Sequence, residues 1–318
     1  MLSRAAEAIY WMSRYVERAE SVARLIEVHL TLTLDQPAEE RQWSPLIYIS
    51  GDEVDFRRRY GHATESAVLH FLTFDLENPN SVLSCLRSAR ENGRSVREII
   101  SSEMWESINA QYLGVLDATR TTVDREDAHE FYKNIRMFGH LAEGLAAGSM
   151  SHGEGWHFSR LGRLIERADK TSRILDVKYF VLLPSPEHVG SPVDDIQWSA
   201  VLKSASAFEM YRKKYGRIFP ARVVEFLLLD REFPRAVLSC MTRAAESLHA
   251  ITGTPIGSFR NRAEQQMGRM RAELEYSDAK ALIASGLHEY LDDLQGKLNA
   301  IDDDIFETFF ARRPIVRS

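Results

Sequence analysis

The chain is 318 residues long, 44% of them hydrophobic, and has a formal net charge of −6 at neutral pH. This hydrophobic fraction supports a large buried core, which excludes disorder along the whole chain. The negative charge gives no global attraction to nucleic acid or to an anionic membrane. No apolar run reaches the roughly 18 residues of a membrane-spanning helix, and the first segment carries charges unlike those of a secretory signal. We expect a cytoplasmic protein that binds neither nucleic acid nor membrane.

Helical spacing of apolar residues runs through nearly the whole chain. Over 11–26, apolar side chains recur every three or four residues, with charged residues on the opposite face. Gly61 and Gly216 each follow a Tyr and predict helix ends, and Ser81 predicts a helix N-cap. The predicted helices, in chain order, are 5–29, 43–60, 64–75, 81–118, 125–147, 156–182, 198–215, 220–229, 235–251, 258–277 and 285–310. The fold class predicted is all-α.

Two stretches of the chain are repeated. The segment 71–85 recurs as 226–240 with nine of fifteen residues identical. The motif Arg-x-x-Glu-Arg-Ala at 14–19 recurs 149 residues later at 163–168. Self-similarity at a fixed shift predicts tandem copies of one structural unit.

The repeats divide the chain at a Gly-rich stretch that directly precedes the second copy of the first helix. We predict a helical bundle of two copies, 1–150 and 151–318, related by pseudo-twofold symmetry and packed as one globular unit. The two cysteines, Cys85 and Cys240, occupy equivalent positions in apolar Val-Leu-Ser-Cys segments. They are predicted to be reduced packing residues rather than a disulfide or a catalytic thiol.

The duplicated Glu-Arg motif has several possible interpretations. Its residues are Arg14, Glu17 and Arg18 in the first copy and Arg163, Glu166 and Arg167 in the second. They could form a solvated helix face with ion pairs worth about 0.2–0.5 kcal/mol each. They could instead meet between the two copies, where they would lock the halves together or line a polar pocket in which Glu17 or Glu166 acts as a general acid or base. Because both copies keep the motif, we favour a structural role.

A row of arginines is present in only one copy. Its members are Arg87, Arg90, Arg94 and Arg97, and the matching positions in the second copy are Thr242, Ala245, His249 and Thr252. Spacings of three, four and three place the arginines along one face of a continuous helix. An element that both copies needed would persist in both, so the asymmetry favours a single binding site.

Guanidinium groups bind carboxylates and phosphates. The same predicted helix continues with three further candidates, Glu103, Trp105 and Asn109. We predict that this segment binds a ligand or partner; the alternative is a solvated arginine face paired with Glu91 and Glu98.

Catalytic and metal-binding signatures are absent from the sequence. It contains no Gly-x-x-x-x-Gly-Lys-Ser/Thr loop, no Gly-x-Ser-x-Gly elbow and no His-Glu-x-x-His motif. Glu246 and His249 form a single Glu-x-x-His pair, whereas a di-iron bundle needs two such pairs and two further Glu. We predict no metal and no cofactor, and the sequence leaves open whether the protein is an enzyme.

Further short stretches carry a family resemblance. They are YWMSRYVERA at 10–19, FRRRYG at 56–61, NPNS at 78–81, AREN at 89–92, SEMWESIN at 102–109, GWHF at 155–158 and GRLIERAD at 162–169. Together they resemble the alpha-E family, helical bacterial proteins named for a Glu-Arg motif, and the resemblance covers essentially the whole chain.

The resemblance implies an all-helical fold. It also implies that the gene lies near genes for ATP-grasp ligase-like and transglutaminase-like proteins, and these proteins are the expected partners. It implies an accessory role in peptide or amide-bond synthesis or modification, with a peptide or amino acid as a possible ligand. The alternative is an enzyme of amide chemistry that uses the Glu-Arg pairs between the two copies.

Overall fold

The computed structural model describes residues 1–34, 41–119, 125–180 and 192–311. Helices account for most of these residues, and none of them lies in a β-strand. The helices are α1 (Ser3–Leu32), α2 (Ser44–Ser50), α3 (Glu53–Tyr60), α4 (Glu65–Thr73), α5 (Val82–Ser95), α6 (Ser102–Ala118), α7 (Arg125–Ser149), α8 (Glu154–Phe180), α9 (Pro192–Ser204), α10 (Phe208–Tyr215), α11 (Pro220–Leu229), α12 (Val237–Thr252), α13 (Arg262–Glu275) and α14 (Ala279–Ile305), followed by a π-helical turn at Phe306–Phe310. The predicted all-α class is confirmed.

Helices α1 and α8 form the centre of the bundle. α1 packs mainly against α8, α5 and α7, and α8 packs mainly against α1, α12 and α14. A Cβ atom at Gly162 of α8 would lie only 2.4 Å from the carbonyl oxygen of Tyr10 on α1. Glycine therefore permits the close approach of the two central helices, and their buried apolar side chains join those of the surrounding helices in one core.

Predicted helix ends are confirmed at three positions. The Ser81 hydroxyl accepts a hydrogen bond from the Ser84 backbone N–H at 3.1 Å and caps α5. α3 and α10 end at Gly61 and Gly216, each with φ of 73°, a backbone conformation that favours glycine. Over the described residues, no helix is long and apolar enough to cross a membrane.

Two of the predicted long helices are divided by a residue with positive φ. The predicted helix 43–60 breaks at Gly51, where φ is 81°. The predicted helix 198–215 breaks at Ser206, where φ is 51°. A right-handed helix cannot continue through either conformation.

The predicted helix 81–118 is also wrong, because α5 ends at Ser95 and α6 begins only at Ser102. The Ser95 hydroxyl donates to the Asn92 carbonyl at 2.7 Å, a local bond that competes with helix continuation. Val96 and Ile100 in the connecting turn are buried in the core. Burial of these two side chains favours the turn over a straight helix.

Candidate functional site

The two Glu-Arg motifs face each other where α1 contacts α8. Glu166 of α8 accepts hydrogen bonds from Arg18 at 2.7 and 2.9 Å and from Arg14 at 3.0 Å. Glu17 of α1 accepts hydrogen bonds from Arg167 at 2.7 and 2.8 Å. Glu166 therefore binds two nitrogens of Arg18, and Glu17 binds two nitrogens of Arg167. We call Glu17–Arg167 and Glu166–Arg18 the reciprocal Glu-Arg pairs.

Three of the four residues of the reciprocal Glu-Arg pairs are buried, and the Arg18 side chain is 16% exposed. Glu166 is 0% exposed and Glu17 is 4% exposed. The interpretation of the motif as a solvated helix face is therefore wrong. Burial in a low-dielectric interior makes such pairs stable only when each charge is fully paired, and two-nitrogen guanidinium contacts meet that need.

Sequence reasoning missed two side chains that extend the pairs. The Asn80 amide oxygen accepts a hydrogen bond from Arg18 at 2.6 Å. Arg235 donates to Glu17 at 3.0 Å. Asn80 and Arg235 occupy matching positions in the repeated segments 71–85 and 226–240, so the repeat was the available signal, although these two residue types differ.

Asp302 was also missed, because it lies nearly 300 residues from its partners on α1. Its carboxylate accepts a hydrogen bond from the Tyr10 hydroxyl at 2.5 Å and pairs with Arg14, also at 2.5 Å. Arg14 thus bridges Glu166 and Asp302. Asp302 therefore connects α14 to the central helices α1 and α8.

Arg163 has a different set of contacts from Arg14, although the two occupy matching positions. Arg163 pairs with Glu143 of α7 at 3.3 Å. Glu143 also accepts a hydrogen bond from Arg167 at 2.9 Å. The second motif is therefore joined to α7 as well as to α1.

Both motif carboxylates are held in the ionised form. Burial alone would raise the pKa of Glu17, but the charges of Arg167 and Arg235 outweigh burial and lower it to about 2. Burial likewise acts to raise the pKa of Glu166, but cations led by Arg18 hold it well below its usual range. A buried carboxylate in this state has neither the proton affinity nor the access of a general base. The arrangement is suited to holding helices together.

The four arginines of the predicted row do not share one helix. Arg97 lies two residues beyond the end of α5, so its place on a continuous helical face is a wrong prediction. The Arg97 side chain nevertheless packs over Trp105, with its Cζ atom 5.4 Å from the ring centre. The Cζ atom of Arg90 lies 5.9 Å from the same ring.

Arg90 is fixed by several neighbours. Its Nε donates to the Asn109 side chain at 2.7 Å, and its guanidinium contacts Glu91 at 2.8 Å. Arg94 pairs with the second oxygen of Glu91 at 2.9 Å and is exposed. We call Arg90, Arg94, Arg97, Trp105 and Asn109 the Arg-Trp surface.

The other two candidates of this segment stand outside that group. Arg87 on α5 and Glu103 in the first turn of α6 are both exposed. Among the contacts of the described residues, neither joins the Arg-Trp surface. The structure therefore brings together five of the seven candidates.

The two cysteines are packing residues, as predicted. Cys85 and Cys240 are free and buried, and burial raises the pKa of each thiol to about 12. A thiol of such high pKa is a poor nucleophile at neutral pH.

Comparison with known families decides the family of this chain. A model of the Alpha-E family, described as a predicted alpha-helical domain with a conserved ER motif, matches residues 1–310. The chain belongs to the Alpha-E family. The Glu17-Arg18 and Glu166-Arg167 dipeptides fit that description of the motif.

Relatives of this Alpha-E chain include two mycobacterial proteins. The uncharacterized protein Mb2597 of Mycobacterium bovis is 25% identical over 335 residues, and the uncharacterized protein Rv2567 of Mycobacterium tuberculosis is 24% identical over the same length. Each alignment covers 95% of this chain and 36% of the relative. The chain thus spans little more than a third of the length of these curated relatives. No solved structure matches the chain.

Proposed function

We propose that this Alpha-E chain is a non-catalytic helical module that binds an anionic group of a partner protein on the Arg-Trp surface. The observation that carries the proposal is the exposed guanidinium of Arg97 over the Trp105 ring, together with the exposed guanidinium of Arg94, which pairs with Glu91. Arg90 is already fixed by Asn109 and Glu91. Little conformational entropy of the Arg90 side chain would therefore be lost when this surface binds.

Arg97 is the group best placed to accept an anion. Its guanidinium lies over Trp105, and no carboxylate pairs with it among the described residues. Such a guanidinium can bind a carboxylate or phosphate through two nitrogens. Arg94 and Arg90 share the single carboxylate of Glu91, which leaves the surface with excess positive charge.

We further propose that the halves 1–150 and 151–318 are copies of one unit related by a pseudo-twofold axis. The repeated segments support this, as do the reciprocal Glu-Arg pairs, in which each motif binds the other. In this proposal the reciprocal Glu-Arg pairs hold the two copies together. The Arg-Trp surface occurs in one copy and is therefore assigned to function.

The partner we propose is an ATP-grasp ligase-like protein of the cytoplasm, with a transglutaminase-like protein as a second partner. The resemblance of the family supports this choice, and the chain has no phosphate-binding loop of its own. The Alpha-E chain would then act as an accessory in peptide or amide-bond synthesis or modification, holding a peptide, an amino acid or the ligase. We do not extend the proposal to catalysis by Glu17 or Glu166, because both carboxylates are buried and paired.

Replacing Arg94 and Arg97 together by Ala should weaken co-purification with the ligase-like protein at least tenfold. Each charge-assisted hydrogen bond is worth about 1.5–3 kcal/mol, and 1.4 kcal/mol corresponds to a factor of ten in affinity. Affinity would be measured by titrating immobilised ligase-like protein with each variant.

The matched control replaces Arg57 and Arg58 of α3, two exposed arginines that pair with Glu53 and Asp55. It removes the same charge from another surface and should bind like the wild type. Equal affinity of the Arg94/Arg97 variant and the wild type would contradict the proposal, as would equal losses in both variants.

A further inference from the structure

An open cavity of about 540 Å³, lined by charged and apolar side chains, lies beside the C-terminal half of α1. Its walls come from α1, α7, the end of α9, the start of α10 and the turn between them, away from the Arg-Trp surface of α5 and α6. The charged and hydroxyl groups that line it are Arg24, Glu27, Thr31, Arg136, Lys203, Ser206 and Glu209. Small-molecule sites typically have volumes of about 300–1,000 Å³. The cavity is therefore large enough for a small ligand.

Positive charge exceeds negative charge in the ion-pair network at this cavity, and the cavity-lining Lys203 and Glu209 add one charge of each sign and leave that excess unchanged. Glu27 is engaged by Arg136, whose Nε donates to it at 2.8 Å. Glu20 pairs with Arg24 and also accepts a hydrogen bond from Arg235 at 3.1 Å. Among the described residues, five guanidiniums share four carboxylates: Arg24, Arg136, Arg163, Arg167 and Arg235 with Glu17, Glu20, Glu27 and Glu143. One guanidinium lacks a carboxylate of its own.

Arg24 is the least compensated of these cations. It is only 3% exposed, and its Nε has no hydrogen-bond partner among the described residues. Burial, together with the positive charges of Arg235 and Arg136, holds the pKa of Arg24 well below its usual range. A buried cation with incomplete pairing is costly, so an anion that reached Arg24 would relieve this cost.

The arginine of α8 that matches Arg24 is in the opposite situation. Arg173 lies 149 residues after Arg24 and donates from its Nε to both oxygens of Asp169, at 2.9 and 3.0 Å. Burial acts to lower the pKa of Arg173, but Asp169 raises it above the usual value. The deficit of negative charge is therefore specific to the Arg24 side.

We infer that this cavity binds the oxyanion group of a small ligand, a carboxylate or a phosphate, on Arg24. Ser206, whose hydroxyl contacts Arg24, has φ of 51°, the only positive φ of a non-glycine residue among the described residues. Strain of this kind is concentrated at binding sites. Lys203 lines the cavity, with its ammonium 5.5 Å from the Phe208 ring centre, and supplies a second cation. This site goes beyond the function proposed for the Arg-Trp surface.

The inference is tested by titrating the whole chain with inorganic phosphate and, separately, with acetate. Binding is measured by calorimetry and by thermal unfolding, and sodium chloride keeps the ionic strength equal in all samples. At least one anion should bind the wild type and raise its unfolding midpoint. Lys203→Gln should weaken binding about tenfold and Arg24→Gln by more. Binding of phosphate alone would identify a phosphate-bearing ligand, and binding of acetate alone a carboxylate-bearing one.

Arg173→Gln is the matched control, because it removes an arginine that has its own carboxylate, and it should bind like the wild type. Lys203 is exposed, so Lys203→Gln tests the site even if Arg24→Gln fails to fold. The inference is overturned if neither anion binds the wild type. It is equally overturned by wild-type affinity in Lys203→Gln, or by an equal loss of binding in Arg173→Gln.

Discussion

Replacing Glu166 by Gln should lower the free energy of unfolding by about 3–5 kcal/mol, the cost of leaving buried charges without their partner. Glu166 binds Arg14 and Arg18 and lies 3.5 Å from the Lys170 ammonium. The amide keeps the size of the side chain but removes the charge that these three cations share. Urea unfolding of both proteins at neutral pH measures the difference.

Glu106→Gln is the control, because Glu106 is exposed on α6 and its replacement should change the unfolding free energy by less than about 0.5 kcal/mol. The effect of Glu166→Gln should also depend on pH. Because the folded pKa lies well below the ordinary value of 4.5, the stabilisation by Glu166 is complete above about pH 4.5 and declines as the pH falls toward the folded pKa. A Glu166→Gln protein as stable as the wild type at pH 7 would contradict the structural role.

Replacing Gly162 by Ala should destabilise the protein by about 1–3 kcal/mol, although Ala is the better helix former. The new Cβ would lie 2.4 Å from the Tyr10 carbonyl oxygen. Because that atom belongs to the backbone of α1, the clash can be relieved only by moving α1 and α8 apart. Such a movement would lengthen the reciprocal Glu-Arg pairs as well, and thermal unfolding measures the loss.

Gly144→Ala on α7 is the matched control. Gly144 is helical and exposed, and a Cβ there would meet no atom within 4 Å. This change should stabilise the protein by up to about 1 kcal/mol through helix propensity alone. The same sign of effect at both glycines would contradict the close contact between α1 and α8.

The all-α class and several helix ends were predictable because they depend on local pattern. The breaks within the predicted helices differ in how clearly the sequence indicates them. Gly51, followed by Asp52, was a turn signal that helical spacing on both sides concealed. The end of α5 at Ser95 had no such signal, because the arginine spacing continues through the turn and the burial of Val96 is a tertiary effect.

The partners of the Glu-Arg motif could be predicted only in part. Duplication of the motif indicated an interface between the two copies, and the buried pairs lie where α1 meets α8. Helical spacing alone makes Glu17 a neighbour of Arg14, yet Arg14 binds Glu166 on another helix. Which helix supplies a partner depends on how α1 and α8 cross, and periodicity within one helix does not contain that information.

The Arg-Trp surface was predicted in part. The sequence pointed to Arg90, Arg97 and Trp105 for a reason that was wrong in detail, since Arg97 is not on α5. The turn between α5 and α6 returns Arg97 to the Trp105 ring. The asymmetry between the copies was thus a better guide to this group than the assumed continuous helix.

The most direct test of the structural role of the motif is a pair of double-mutant cycles. One combines Glu17→Gln with Arg167→Gln, across the two helices, and the other combines Glu17→Gln with Arg18→Gln, within one motif. Coupling energies from urea unfolding should be about 1–3 kcal/mol for Glu17 and Arg167 and below about 0.5 kcal/mol for Glu17 and Arg18. Strong coupling within the motif, with none between the helices, would contradict the reciprocal Glu-Arg pairs.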